Sequence, residues 1–296
     1  MQVYKGHGCR NSVVSVAFSP DGTILASCAR GSFVRLLWCG TGKQEFLEET
    51  NTPCHVSFTP DGEELAFCHD SSQRFCNALT LCKLATGEKR SRDVSGSRIV
   101  FSPTGRIFAH NRDVLLWDRQ TLTPIWDDGP ERKTTHGIAF SPDGRVLATG
   151  CYCWKVNEKA TAFIRLLDVA SGREQGRLVG HSSVTWSVAF SPDGKYLAAD
   201  SGPFIWVWNV RTEQPVTRLK VGRYEFKQVA FTPDGRFLAA TGNEGTVRFW
   251  DTATWRQHVA FDWDIGPLVS LDIARDGLRA AAGSKRGKIV VWDIDF

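Results

Sequence analysis

One phrase constrains this chain more than any other feature. Val16-Ala17-Phe18-Ser19-Pro20-Asp21-Gly22 recurs as Ile138-Ala139-Phe140-Ser141-Pro142-Asp143-Gly144, as Val188-Ala189-Phe190-Ser191-Pro192-Asp193-Gly194 and as Val229-Ala230-Phe231-Thr232-Pro233-Asp234-Gly235. Looser copies lie at Val56–Gly62, Ile99–Gly105 and Leu271–Gly277. The anchor positions 18, 58, 101, 140, 190, 231 and 273 are separated by 40, 43, 39, 50, 41 and 42 residues. A repeat unit of this length is one supersecondary module that buries its apolar faces only against its neighbours.

Each unit reads as strands. Apolar residues lead into the Pro-Asp-Gly turn, and a second run such as Leu25-Ala26-Ser27 follows it. A third run, such as Val247-Arg248-Phe249-Trp250-Asp251, alternates at the two-residue period of a half-buried strand. Asp-Gly between two such runs is a strong hairpin signal, and no segment keeps a helical period. Four strands in about 40–45 residues is the pattern of a propeller blade. The expected fold is therefore all-β, a seven-bladed β-propeller of four-stranded antiparallel blades. The last unit stops after its third strand, while Gln2–Lys5 precede the first unit as an orphan strand. Pairing the two would remove an exposed edge and close the ring, so residues 1–296 are expected to form one domain.

The sequence resembles the WD-repeat family over essentially its whole length. Trp117-Asp118, Trp250-Asp251 and Trp292-Asp293 stand at the end of the third strand, with Trp208-Asn209 a near match; Gly6-His7 and Gly180-His181 match the other family dipeptide. The resemblance implies a scaffold for protein interaction rather than catalysis. It also implies an intra-blade network of His, Ser or Thr, Asp and Trp, for which this chain is poorly equipped. Leu37 replaces Trp in the unit of His7, and Ser201-Gly202-Pro203 stands where the unit of His181 would need an Asp. Packing is expected to hold the blades instead. The family's preferred contact position, four residues before the anchor, holds Val14, Cys54, Ser97, His136, Trp186, Lys227 and Val269, with His136 and Trp186 the leading candidates on this rim. Trp186 has a second reading, wedged between blades.

Turn lengths point to a second region. From the Ala of the second strand to the first apolar residue of the third, blades 2 and 4 take 13 and 16 residues, while blade 3 takes 5. A groove over blade 3 is expected, with Arg74 and Phe75 on the blade 2 wall, Tyr152, Trp154 and Lys155 on the blade 4 wall, and His110 and Arg112 on its floor. Aromatic residues and Arg dominate binding energy at protein interfaces; packing of Phe75 and Trp154 against neighbouring blades is the competing reading. The groove's charges lean basic, which favours an acidic protein segment as partner.

Composition narrows the rest. A hydrophobic fraction of 42% with 11% aromatics builds a core, and no apolar run reaches the ~18 residues of a membrane helix. Nine cysteines, an odd number in a long chain, argue for a reducing compartment and a cytoplasmic location. Cys54, Cys68, His69 and Cys76 could converge as a zinc site, but their spacing favours packing, so no metal or cofactor is expected. The repeated aspartates shape turns, and no nucleophile elbow or phosphate loop is present. The alternatives are a hydrolase- or lyase-type propeller using the central channel, or a nucleic-acid-binding propeller. The net charge of +4, spread along the chain, gives the latter little support.

Overall fold

The structure, a computed structural model, describes residues 2–7, 11–29, 33–49, 53–70, 77–94, 96–111, 115–127, 133–153, 161–220 and 225–295. They form seven four-stranded antiparallel sheets and, among the described residues, no helix. Each of the seven repeats makes one blade, its strands lying in chain order from the channel outward. The last blade alone differs: Leu268–Ile273, Arg279–Ser284 and Lys288–Asp293 are completed by the N-terminal strand Gln2–Lys5. Gln2 pairs with Val291 and Lys5 with Lys288, so the expected closure is present. Each innermost strand contacts the next around a closed circle.

The Pro-Asp-Gly turns show why the repeat is so regular. Ser19 Oγ donates to Asp21 Oδ1 at 2.5 Å and accepts from the Ile24 N–H at 2.9 Å. The Thr23 N–H also donates to Asp21, at 3.0 Å. The chain then leaves through Gly22 at φ 68°, which favours glycine. Thr59 with Asp61, Ser141 with Asp143, Ser191 with Asp193 and Thr232 with Asp234 repeat the pattern. The Ser19 hydroxyl bond, first among the causes, holds the Asp21 carboxyl below its ordinary pKa. These aspartates therefore hold turns.

Between blades the contacts are apolar. At the end of the third strand, Trp117, Trp208, Trp250 and Trp292 have Leu37, Cys82 and Leu167 as their counterparts in the other blades, and each of the seven sits in a different inter-blade cluster. Cys82, fully buried with Leu65, Phe67, Val56 and Phe58, fills a tryptophan's place as a small hydrophobe. The polar network is as thin as expected. His7 Nε2 lies 3.0 Å from Ser27 Oγ, but Leu37 gives it nothing beyond. Neither ring nitrogen of buried His181 has a hydrogen-bond partner among the described residues, and Trp208 Nε1 donates instead to the Val179 carbonyl at 2.8 Å.

Blade heights differ. Among the described residues the second strand extends three residues past its recurring Ala in most blades, five in blade 4 (Val146–Cys153), four in blade 2 (Glu64–Asp70) and one in blade 3 (Ile107–His110). At about 3.3 Å per residue, the described second strand of blade 3 ends roughly 13 Å short of that of blade 4 on the loop-bearing face.

Candidate functional site

The innermost strands carry a recurring irregularity. Their pairing with the second strand shifts register at Val13/Ser15, Pro53/His55, Thr135/Ile138, Phe226/Gln228 and Leu268/Ser270. The residues thrown out of the ladder include Val14, Cys54, His136, Lys227 and Val269, five of the seven rim positions. A bulge re-aims side chains in this way. In the other two blades the first strand begins only at Ile99 and Val188, and a side chain clamps the incoming loop instead. Asn111 Oδ1 accepts the N–H groups of Ser97 and Arg98, each at 2.9 Å. Asp200 Oδ1 accepts those of Trp186 and Ser187, at 2.9 and 2.6 Å.

All seven rim residues consequently line one cavity of about 560 Å³ at the mouth of the channel. His136 and Trp186 meet there with ring centroids 4.3 Å apart. Trp186 is 44% exposed, which removes the reading that it is wedged between blades. Lys227 Nζ lies 5.5 Å from the centre of the Trp186 ring and 2.8 Å from Glu225.

The next residue of each repeat plays a different part. Val56 N–H donates to Ser15 Oγ, Ile99 N–H to His55 Nδ1, and Val229 N–H to Ser187 Oγ. Gln228 Nε2 donates to the Leu271 carbonyl, and Ser270 Oγ to the Val13 carbonyl. Gly137 N–H reaches the Thr185 carbonyl, and Asn111 Nδ2 the His136 carbonyl. Each of the seven seams between inner strands is thus bridged. Arg98 occupies the same column in blade 3 but crosses the channel, donating from Nη1 to the Trp186 carbonyl at 2.8 Å.

Three cationic residues line the cavity (Arg98, Lys227 and Lys285) together with His55 and His136. Burial, assisted by the Arg98 charge, pulls His55 down to about 3, and burial also lowers His136, so both rings are neutral near pH 7. No carboxylate is among the described lining residues.

A second cavity of about 360 Å³ adjoins the first, sharing Trp186 and Lys227 and adding Tyr152, Ser183, Glu225 and Phe226. Tyr152 therefore faces blades 5 and 6 rather than a groove over blade 3. His110 is fully buried, its Nδ1 2.9 Å from the Asn111 carbonyl and its ring 6.0 Å from Trp117. It cannot be a groove floor, because the clamp and the tryptophan enclose it. Arg74, Phe75, Arg112, Trp154 and Lys155 lie outside the described residues.

Of the cysteine set, Cys76 also lies outside the described residues, Cys54 Sγ donates to the Cys68 carbonyl at 3.3 Å, and His69 Nε2 turns to Thr80 Oγ1 at 3.3 Å. Among the described residues no three such side chains converge as a metal site. Arg98, His55, Lys285 and Asn111 line the cavity and Asp200 clamps the Trp186 loop behind it, and the rim position alone reveals none of the five. Asn111 and Asp200 share a column ten residues after the anchor, otherwise filled by Cys28, Cys68, Gly150, Thr241 and Gly283. Their polarity in that column was the available signal.

Residues 1–36, 172–209 and 218–251 match the sequence family described as WD domain, G-beta repeat. No curated protein gives a significant match. Propellers of this kind are generally non-enzymatic scaffolds that bind proteins or peptides. Three repeats matched directly, and all seven folded as four-stranded blades around a closed ring, together support a place for the chain in the WD40-repeat β-propeller family.

Proposed function

We propose that residues 1–296 act as one interaction domain, a non-enzymatic scaffold whose loop-bearing face holds a peptide or protein partner over the channel mouth. The observation that carries this reading is the shared cavity. Seven blades each contribute one side chain to it, five of them thrown out of their ladders by a bulge, and Trp186 stands exposed among them. An exposed tryptophan beside a pocket of several hundred Å³ is the kind of anchor around which interface energy concentrates. The low blade 3, between the taller blades 2 and 4, gives a bound segment a way out toward the rim.

Site-specific photo-crosslinking tests the reading. A crosslinker replacing Val14 or Val269 on the rim should trap one partner in lysate from the native source. The same group at Leu278, exposed beside the Pro-Asp-Gly-type turn of blade 7 on the opposite face, should not. Capture of that partner only from position 278 would refute the assignment.

A further inference from the structure

We propose that the central cavity receives a carboxylate side chain from an acidic segment of the partner, with Arg98, Lys227 and Lys285 reading its charge at the axis of the ring. This rests on the interaction reading above and adds the chemistry of the occupant.

Charge complementarity carries the argument. Arg98, Lys227 and Lys285 come from three different blades, yet they line one space in which no described carboxylate stands. The two acids nearest in the network do not fill that role. Glu225 reaches Lys227 from the neighbouring cavity, with its own side chain 58% exposed. Asp200 is fully buried behind the Trp186 backbone, and burial pushes its carboxyl up to about 7, so about half of its charge is suppressed at neutral pH. The imidazoles of His55 and His136 are neutral and add no competing charge.

Arg98 is set up for this use. Its column bridges seams in other blades, whereas Arg98 is anchored at the Trp186 carbonyl, and its Nε is shielded from solvent without a hydrogen-bond partner among the described residues. A guanidinium held by one arm and short of one acceptor is a ready carboxylate partner. A cavity of about 560 Å³ lies within the range of ligand sites and exceeds one acidic side chain. The adjoining cavity beyond Trp186 gives the segment room to continue.

The test uses the full chain and a fluorescein-labelled hexaglutamate peptide, read by anisotropy against a hexaglutamine peptide of the same length. The glutamate peptide should bind at least tenfold more tightly. Lys227→Glu/Lys285→Glu should weaken it tenfold or more, and Lys285→Glu alone about threefold, a second reading should the double variant lose its fold. Lys83→Glu, on the opposite face, should leave affinity within twofold. Equal binding of both peptides, insensitivity to the rim lysines, or an equal loss with Lys83→Glu would overturn the proposal. So would displacement of the peptide by a six-nucleotide oligothymidylate at lower concentration than by unlabelled hexaglutamate, which would assign the charge to phosphate. A rim crosslink that persists in Lys227→Glu/Lys285→Glu would sink the carboxylate while leaving the scaffold standing. Glutamate-selective binding without any rim crosslink would do the reverse.

Discussion

Asp200→Asn isolates the cost of a buried acid used as a structural clamp. Asp200 is fully buried; Oδ1 takes two backbone N–H groups, and Oδ2 has no hydrogen-bond partner among the described residues. Burial raises its carboxyl from 3.8 to about 7, against the opposing pull of those N–H groups and of Lys227 and Arg98. The folded chain therefore binds more protons than the unfolded chain between these two values, so stability falls as pH rises through that window. At about 1.4 kcal/mol per pH unit, the full penalty above pH 7 is on the order of 4 kcal/mol.

Asparagine keeps the Oδ1 acceptor, as Asn111 does at the same position of blade 3. Its amide adds a buried donor in place of Oδ2, which costs about 1–3 kcal/mol at any pH. The stability of the variant minus that of wild type should therefore climb by roughly 2–3 kcal/mol between pH 5 and pH 8, measured by urea denaturation at each pH. Subtracting one protein from the other removes the titration of the turn aspartates, which runs in the opposite sense. A difference that stays flat within about 0.5 kcal/mol would show that Asp200 ionises normally, and the argument would fail. Asp200→Ala, which also removes the titrating carboxyl, should show the same climb with pH, offset by a further cost of about 2–4 kcal/mol for the two orphaned N–H groups, and should disturb Trp186.

Removing residues 1–7 should lower Tm sharply, since it deletes four ladder pairs and the His7 contacts to Gly287 and Ser27; at about 1 kcal/mol per hydrogen bond the loss is roughly 4 kcal/mol or more, and an unchanged Tm would refute closure. His7, His55 and His181 are held neutral, at about 4, 3 and 4, so their contribution to stability is complete above the ordinary value of 6.5 and is lost as pH falls toward those values. Denaturation midpoints should drop between pH 6.5 and pH 4, and His181→Phe should flatten that drop; identical profiles would contradict the assignment. Glu64, 3% exposed, is held by Arg90 at 2.8 Å and Arg119 at 3.2 Å. Arg90→Ala/Arg119→Ala should cost about 3–5 kcal/mol by leaving a buried carboxylate unpaired, and a cost below about 1 kcal/mol would show that water replaces both partners.

The fold was legible because its determinants are local and repeated. Ser19, Asp21 and Gly22 close a turn through contacts within six residues, and seven near-copies leave few topologies open. The rim was legible for a related reason: a fixed offset from Phe18 and its equivalents lands on the bulged residue of five inner strands and on the clamped loop ahead of the other two. The remainder of the cavity was not. Arg98 bonds across 88 residues to Trp186, a role without a sequence period, and the clamp of Asp200 on a loop 13 and 14 residues upstream recurs only at Asn111, in a column where Cys, Gly and Thr fill the other blades. His110 misled because a short turn suggests an exposed floor, while Trp117 and the Asn111 carbonyl enclose the ring.

The arrangement of adjacent columns explains how such a ring can carry recognition without losing cohesion. Neighbouring residues of a strand point to opposite sides, and a bulge sharpens the separation. At the channel mouth, Ser15, His55, Ser187, Gln228 and Ser270 tie seams together, while Val14, Cys54, Trp186, Lys227 and Val269, one residue earlier, face the cavity. A substitution in the second set alters what the cavity can bind but breaks none of these bridges. A substitution in the first opens a seam. Arg98 belongs to the bridging column by position but reaches across to the Trp186 carbonyl, and it borders the cavity as Ser15, His55 and Gln228 of that column also do. Arg98→Ala should accordingly lower both stability and affinity for the acidic peptide, whereas Lys285→Glu should lower affinity alone.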